Sequence, residues 1–235
     1  MDERTKNIMS NMESNKLGLD DAFKFQCRMC GKCCIHRDDI ILTPRDIFNM
    51  SKELGIKPEE LVNRYCEIYI GTGSRLPVIR IMPKGNVQRC PLLKDRKCMV
   101  HKAKPIVCAM FPIGRGLKLE GKDIGSITTN DITYFFNGED CGNDCEEHTV
   151  REWLDEFGMS AEDEFFILWQ QMVVKLCINF REMENKVDPQ AMAMLWNITT
   201  YSLYIDYDTE KDFRPQYERN SKKVVGIVDD ICKVL

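Results

Sequence analysis

The chain has 235 residues, 43% hydrophobic and 30% charged, a composition that can bury a sizeable core and is typical of a globular protein. Its 33 basic and 37 acidic residues leave a formal charge of −4, which offers no global case for nucleic-acid binding. No apolar run approaches the ~20 residues needed to span a bilayer, so no membrane association is expected.

Residues 1–22 read as a polar N-terminal arm with no apolar core, neither a secretory signal nor an anchor. Residues 23–148 read as a cysteine-cluster metal-binding domain, and 149–235 as a helical C-terminal region packed on it. Asp39 to Leu42 is a short apolar run suited to a strand. Thr43-Pro44 then has the form of an N-cap with proline at the first helical position, opening a helix through Leu54 that Gly55 closes. A second helix is expected from Pro58, carrying Leu61, Tyr65 and Ile68. Gly71-Thr-Gly73 breaks the chain, Pro77 to Met82 reads as a strand, and Gly114–Glu120 and Ile132–Phe136 are weaker strand candidates.

From Thr149 the texture becomes helical. Thr149-Val-Arg-Glu152 has capping-box form. Ser160 is expected to cap a longer helix bearing Phe165, Trp169, Val173 and Leu176, and Asp188-Pro189 to open another containing Met192, Leu195, Trp196 and Leu203. A final helix from about Pro215 presents Val224, Ile227, Val228, Ile231 and Leu235. The fold class this predicts is α+β: a small irregular cysteine-rich domain with short strands, packed against N-terminal helices and a helical C-terminal half.

Twelve cysteines with no export signal point to a reducing cytoplasm, where close thiols hold metal more readily than they persist as disulfides. Seven of them lie in two clusters: Cys27, Cys30, Cys33 and Cys34, then Cys90, Cys98 and Cys108. In Cys27-x-x-Cys30-Gly31 the two-residue gap lets both sulfurs reach one ion, while glycine lets the backbone turn with positive φ. Adding Cys33 makes two successive Cys-x-x-Cys steps, similar to the opening of a bacterial ferredoxin run. That run then breaks, because Arg37 stands at the next ligand position. Adjacent side chains diverge in any regular backbone, so Cys33 and Cys34 are expected to serve two metals or two corners of one cluster. Seven sulfurs exceed the four of one structural zinc; Cys141 is the expected eighth, with Cys145 as its alternative. Buried small hydrophobes are the common fate of isolated cysteines, and Cys66, Cys177 and Cys232, in apolar stretches read as helical, are assigned to the core.

His101, three residues after Cys98, fits a donor to a ligand sulfur or a packed ring better than a direct ligand, given the surplus of thiols. Lys24, Arg28, Lys32, Arg37, Arg89, Lys94, Arg96, Lys97, Lys102 and Lys104 surround the cysteines; beside so many thiolates they offset negative charge more simply than they bind phosphate. Neither Gly71-Thr-Gly73 nor Gly114-Arg-Gly116 makes a nucleotide loop.

Phe25-x-Cys27-x-x-Cys30-Gly31-x-Cys33-Cys34, then Cys90-Pro91-Leu92 to Cys98, then Lys104-Pro105-x-x-Cys108-x-x-Phe111-Pro112, resembles the YkgJ-type cysteine-cluster family over about residues 23–116. The resemblance implies zinc or iron chelation in a family often labelled iron–sulfur, and a related cluster occurs in flagellin lysine methylase. Lys104 and Ala109 stand where relatives commonly carry arginine, which weakens any arginine-dependent anion site but leaves the sulfur set intact. Relatives tend to carry tyrosine or histidine at the place of His101, which also argues against ligation by it. The expected function is binding of an iron–sulfur or multi-iron thiolate centre with a redox or protein-modification role, its partners being metal ions and a protein partner or protein substrate. The alternative is a structural zinc scaffold or interaction module without catalysis.

Overall fold

The computed structural model describes residues 12, 14–28, 30–35, 37, 39–119, 121–138 and 142–235. It is an α+β protein with small sheets. In chain order the elements are β1 (Lys16–Leu17), β2 (Ala22–Gln26), α1 (Pro44–Leu54), α2 (Pro58–Tyr65), β3 (Cys66–Ile70), β4 (Pro77–Ile81), β5 (Leu93–Lys94) and β6 (Lys97–Cys98). They continue as α3 (Ile106–Met110), β7 (Ile113–Leu117), β8 (Ile132–Phe136), β9 (Asn143–Thr149), α4 (Val150–Glu156), α5 (Glu164–Met183), α6 (Pro189–Thr200) and α7 (Phe213–Cys232). Much of the expected arm, residues 1–11, lies outside the described residues.

The chain divides into two compact units, neither continuous in sequence: residues 1–33 with 106–168, and residues 34–105 with 169–235. The boundary expected at residue 148 falls inside the first unit. In that unit β1, β8 and β7 form an antiparallel sheet in the order β1-β8-β7, and β2 pairs antiparallel with β9. Its core gathers Phe23, Phe25, Met110, Ile113, Tyr134, Val150, Trp153 and Leu154. The capping box at Thr149 is present: the hydroxyl accepts from Glu152 N at 3.2 Å and the carboxylate accepts from Thr149 N at 2.8 Å.

In the second unit the same device starts α1, where Thr43 Oγ1 accepts from Asp46 N at 3.2 Å and Asp46 Oδ2 accepts from Thr43 N at 2.8 Å. The strand expected at Asp39–Leu42 is reduced to a bridge between Ile41 and Arg80. Helix α2 stops at Tyr65 and does not carry Ile68. The run Cys66-Glu-Ile-Tyr-Ile70 is β-branched and aromatic, and it pairs along β4 with Ile68 opposite Ile79. Ile79 and Ile81 are fully buried there.

Three further helix expectations are corrected. Ser160 Oγ accepts from Glu162 N, ahead of α5, while Asp163 Oδ1 accepts from Phe166 N at 3.2 Å as α5 begins. Leu203 lies beyond α6 in a π-helical turn, Tyr201–Ile205, which follows the point where Thr200 Oγ1 donates to Trp196 O. Helix α7 starts at Phe213, and Leu235 lies beyond its end, exposed, whereas Val224 and Val228 are buried.

Asp163 has a second task. Its carboxylate meets Arg115 Nη1 at 2.9 Å with both side chains less than a tenth exposed, and the Arg115 guanidinium lies 3.8 Å from the centre of the Phe166 ring. Removing one member of a buried pair strands the other charge in low dielectric. Arg115→Met is therefore expected to destabilise the first unit by about 3 kcal/mol, measured by urea unfolding. A double variant, Arg115→Met with Asp163→Leu, should recover much of that loss. If the single variant matches the wild type, the pair carries no such role.

Candidate metal centre

Strand β2 alternates, with Phe23 and Phe25 buried and Lys24 exposed, and it delivers the chain to the cysteine knuckle. The Phe25 ring lies edge-on to Phe111 and Trp153 at 5.9 and 5.7 Å, and Phe25 O contacts His148 Nε2 at 3.0 Å. Trp153 Nε1 donates to Met110 O at 2.9 Å. Cys27 and Cys108 thus each sit two residues from a member of one hydrophobic core, Phe25 and Met110. Cys27 and Cys30 are exposed, Cys33 and Cys108 half-buried. Gly31 has φ 75°, the left-handed turn expected of it.

The β2–β9 register jumps from Lys24↔Glu147 to Gln26↔Asn143, so β9 carries a bulge holding exposed Cys145, whose N–H donates to Asn143 Oδ1 at 3.1 Å. Gly142, at φ 73°, lies so close to β2 that a Cβ there would come within 2.8 Å of Gln26 O. The bulge therefore runs beside the start of the knuckle. Cys141, the expected eighth ligand, lies outside the described residues, as does His36.

In the second unit Cys90 N donates to Cys34 O at 2.8 Å, next to an antiparallel bridge between Ile35 and Arg89. Cys90 O accepts from Leu93 N at 3.1 Å, and β5 pairs with β6 so that Leu93 faces Cys98. The hairpin turn is Asp95-Arg96, both with positive φ of 49° and 61°, the primed geometry that a two-residue hairpin favours. Buried Leu92 and Val100 pin its ends.

Cys34, Cys90 and Cys98 are half-buried. Cys66 is buried as assigned, but in a strand, not a helix. Burial first, and then the Cys90 thiol, push its pKa up to about 12. Cys177 and Cys232 are half-buried on α5 and α7; burial is also the main cause raising the Cys232 pKa. His101 is exposed in the turn His101–Ala103.

Among the described residues no three histidine, cysteine, aspartate or glutamate side chains converge closely enough to hold one ion. The donor chemistry nonetheless suits a thiophilic metal: none of the described cysteines is in a disulfide, and soft thiolates select zinc, copper(I) and iron–sulfur centres. The unit boundary divides the seven expected ligands, with Cys27, Cys30, Cys33 and Cys108 in the first unit and Cys34, Cys90 and Cys98 in the second.

A domain that concentrates reduced thiols at these spacings is a metal-binding cysteine-cluster domain. Residues 26–131 match the family model CxxCxxCC, described as a putative zinc- or iron-chelating domain. An uncharacterized protein of Methanocaldococcus jannaschii is 26% identical over 106 residues, covering 43% of this chain and 53% of that protein, so the match spans about half the length of that relative. No solved structure matches. Among the described residues no helix is long and apolar enough to cross a membrane.

Proposed function

We propose that this protein holds an iron–sulfur or multi-iron thiolate centre and acts in redox or protein-modification chemistry in the cytoplasm. The observation that carries the reading is the run Cys27-x-x-Cys30-Gly31-x-Cys33-Cys34 at the start of a stretch matching a zinc- or iron-chelating domain. Its ligands are Cys27, Cys30, Cys33, Cys34, Cys90, Cys98 and Cys108, with an eighth thiol for which the sequence favours Cys141. A cluster offers more sulfur sites than a single tetrahedral ion, which accounts for a thiol count beyond four. A protein substrate follows from the likeness of the cluster to that of flagellin lysine methylase. Zinc is the second reading, favoured by the four of the seven expected ligands that fall in the first unit, the number one closed structural site needs.

The test is anaerobic purification with iron, zinc and acid-labile sulfide analysis. Iron with sulfide and visible charge-transfer absorption is the expected result. Colourless protein with stoichiometric zinc would reject the cluster and promote the scaffold.

A further inference from the structure

We infer that the outer edge of β3 is a self-pairing surface, where a second copy of this chain adds its own β3 antiparallel, with Ile68 opposite Ile68. The two-stranded sheet β3-β4 has one satisfied edge and one open edge. On the β4 side Leu42 N donates to Ile79 O at 2.8 Å and Ile81 N to Ile40 O at 3.0 Å. On the β3 side the ladder fixes which backbone groups point outwards. Met82 N donates to Tyr65 O and Gly71 N to Leu76 O, so the bonded pairs of this antiparallel ladder alternate through Glu67–Arg80 and Tyr69–Val78. Cys66, Ile68 and Ile70 therefore turn their amides and carbonyls away from β4. The Cys66 N–H donates to Val62 O at the end of α2, while among the described residues no group is bonded to the outward backbone of Ile68 or Ile70. No lysine, proline or bulge blunts this edge, and Ile68 and Tyr69 are 47% and 37% exposed.

The strand's own pattern selects a second copy as the occupant. With Ile68 on a two-fold axis, the Ile68 N–H of each copy meets Ile68 O of the other, and the Ile70 N–H meets Cys66 O, so every open donor of the edge is satisfied. The donor that this register leaves unused is that of Cys66, which already has Val62 O. Ile68 shares a face with its ladder partner, fully buried Ile79, and packs there directly against its counterpart, which removes exposed apolar surface from water. On the opposite face Glu67 comes opposite Tyr69 of the second copy. Arg80 Nε donates to Glu67 Oε1 at 2.7 Å, and its guanidinium lies 5.1 Å from the centre of the Tyr69 ring. Each copy therefore presents a cation beside the ring that the other copy's carboxylate approaches. Moving the axis one residue, to Glu67, would instead set like charges against each other. The single charge on the strand thus chooses the register. The paired surface is small, so the association is weak and reversible, and it does not depend on the metal reading.

The test is analytical sedimentation of the full chain over a concentration series under reducing conditions, with amide hydrogen exchange on the same samples. The wild type is expected to pass from monomer to dimer as concentration rises. Exchange at Ile68 and Ile70 should slow over the same range, while the amides of Glu67 and Tyr69, bonded to β4 in either state, stay unchanged. Ile68→Lys should weaken the dimer by about tenfold, because two lysines then face each other across the axis. Mixing Ile68→Lys with Ile68→Glu should restore association, a rescue that misfolded variants could not give. A wild-type chain that stays monomeric at every concentration overturns the proposal, even if the same edge takes an extended segment of another protein. A dimer that leaves exchange at Ile68 and Ile70 unchanged, or that Ile68→Lys forms as tightly as the wild type, overturns it as well.

Discussion

Trp153→Ala is expected to cost about 5 kcal/mol and to unfold the first unit, because it combines a large cavity with a lost buried hydrogen bond. The indole is 7% exposed and sits among the rings of Phe23, Phe25, His148 and Phe157 at 5.8, 5.7, 5.0 and 5.8 Å. Its N–H satisfies Met110 O, a carbonyl at the end of α3 that would otherwise be left without this partner. Trp153→Phe keeps most of the packing and loses the donor, so it should cost about 1–3 kcal/mol by urea unfolding. Since α3 carries Cys108, Trp153→Phe should also weaken metal binding in a protein that still folds. Unchanged affinity would show that α3 does not depend on this bond for its position.

Cys108→Ser, and equally Cys30→Ser, should remove one site's worth of metal. Structural zinc in small peptides supplies about 10–16 kcal/mol, comparable with or above the 5–15 kcal/mol that whole domains possess. The loss should therefore appear as faster hydrogen exchange across the knuckle and residues 104–112, with α6 and α7 still protected. Cys33→Ala and Cys34→Ala should each lower bound metal, whereas Cys177→Ala should leave it intact. Full occupancy in the Cys33→Ala, Cys34→Ala double variant would defeat the ligand assignment.

Local chemistry made much of the fold legible. The cap at Thr43, the box at Thr149, the cap at Asp188, the positive φ of Gly31 and the strands at Pro77 and Ile132 each depend on residues within a few positions of one another. Expectations failed where a distant partner intervened. Cys66 to Ile70 left the helix because β4 offered a pairing strand, and Asp163 starts α5 in place of Ser160 while also held by Arg115, 48 residues earlier.

The sequence alone therefore determined the concentration of thiols, the spacing of the knuckle and the likeness of residues 26–131 to a zinc- or iron-chelating domain. It could not determine which thiols share a compact unit. That partition follows from pairings between residues far apart in the chain, such as Cys34 with Cys90 and Ala22 with Thr149, whose loop closure is offset by the packing of whole strands and cores, not by any local signal. Only the tertiary structure separates Cys33 from Cys34, and only it turns Cys66 out of a helix into a strand facing Ile81.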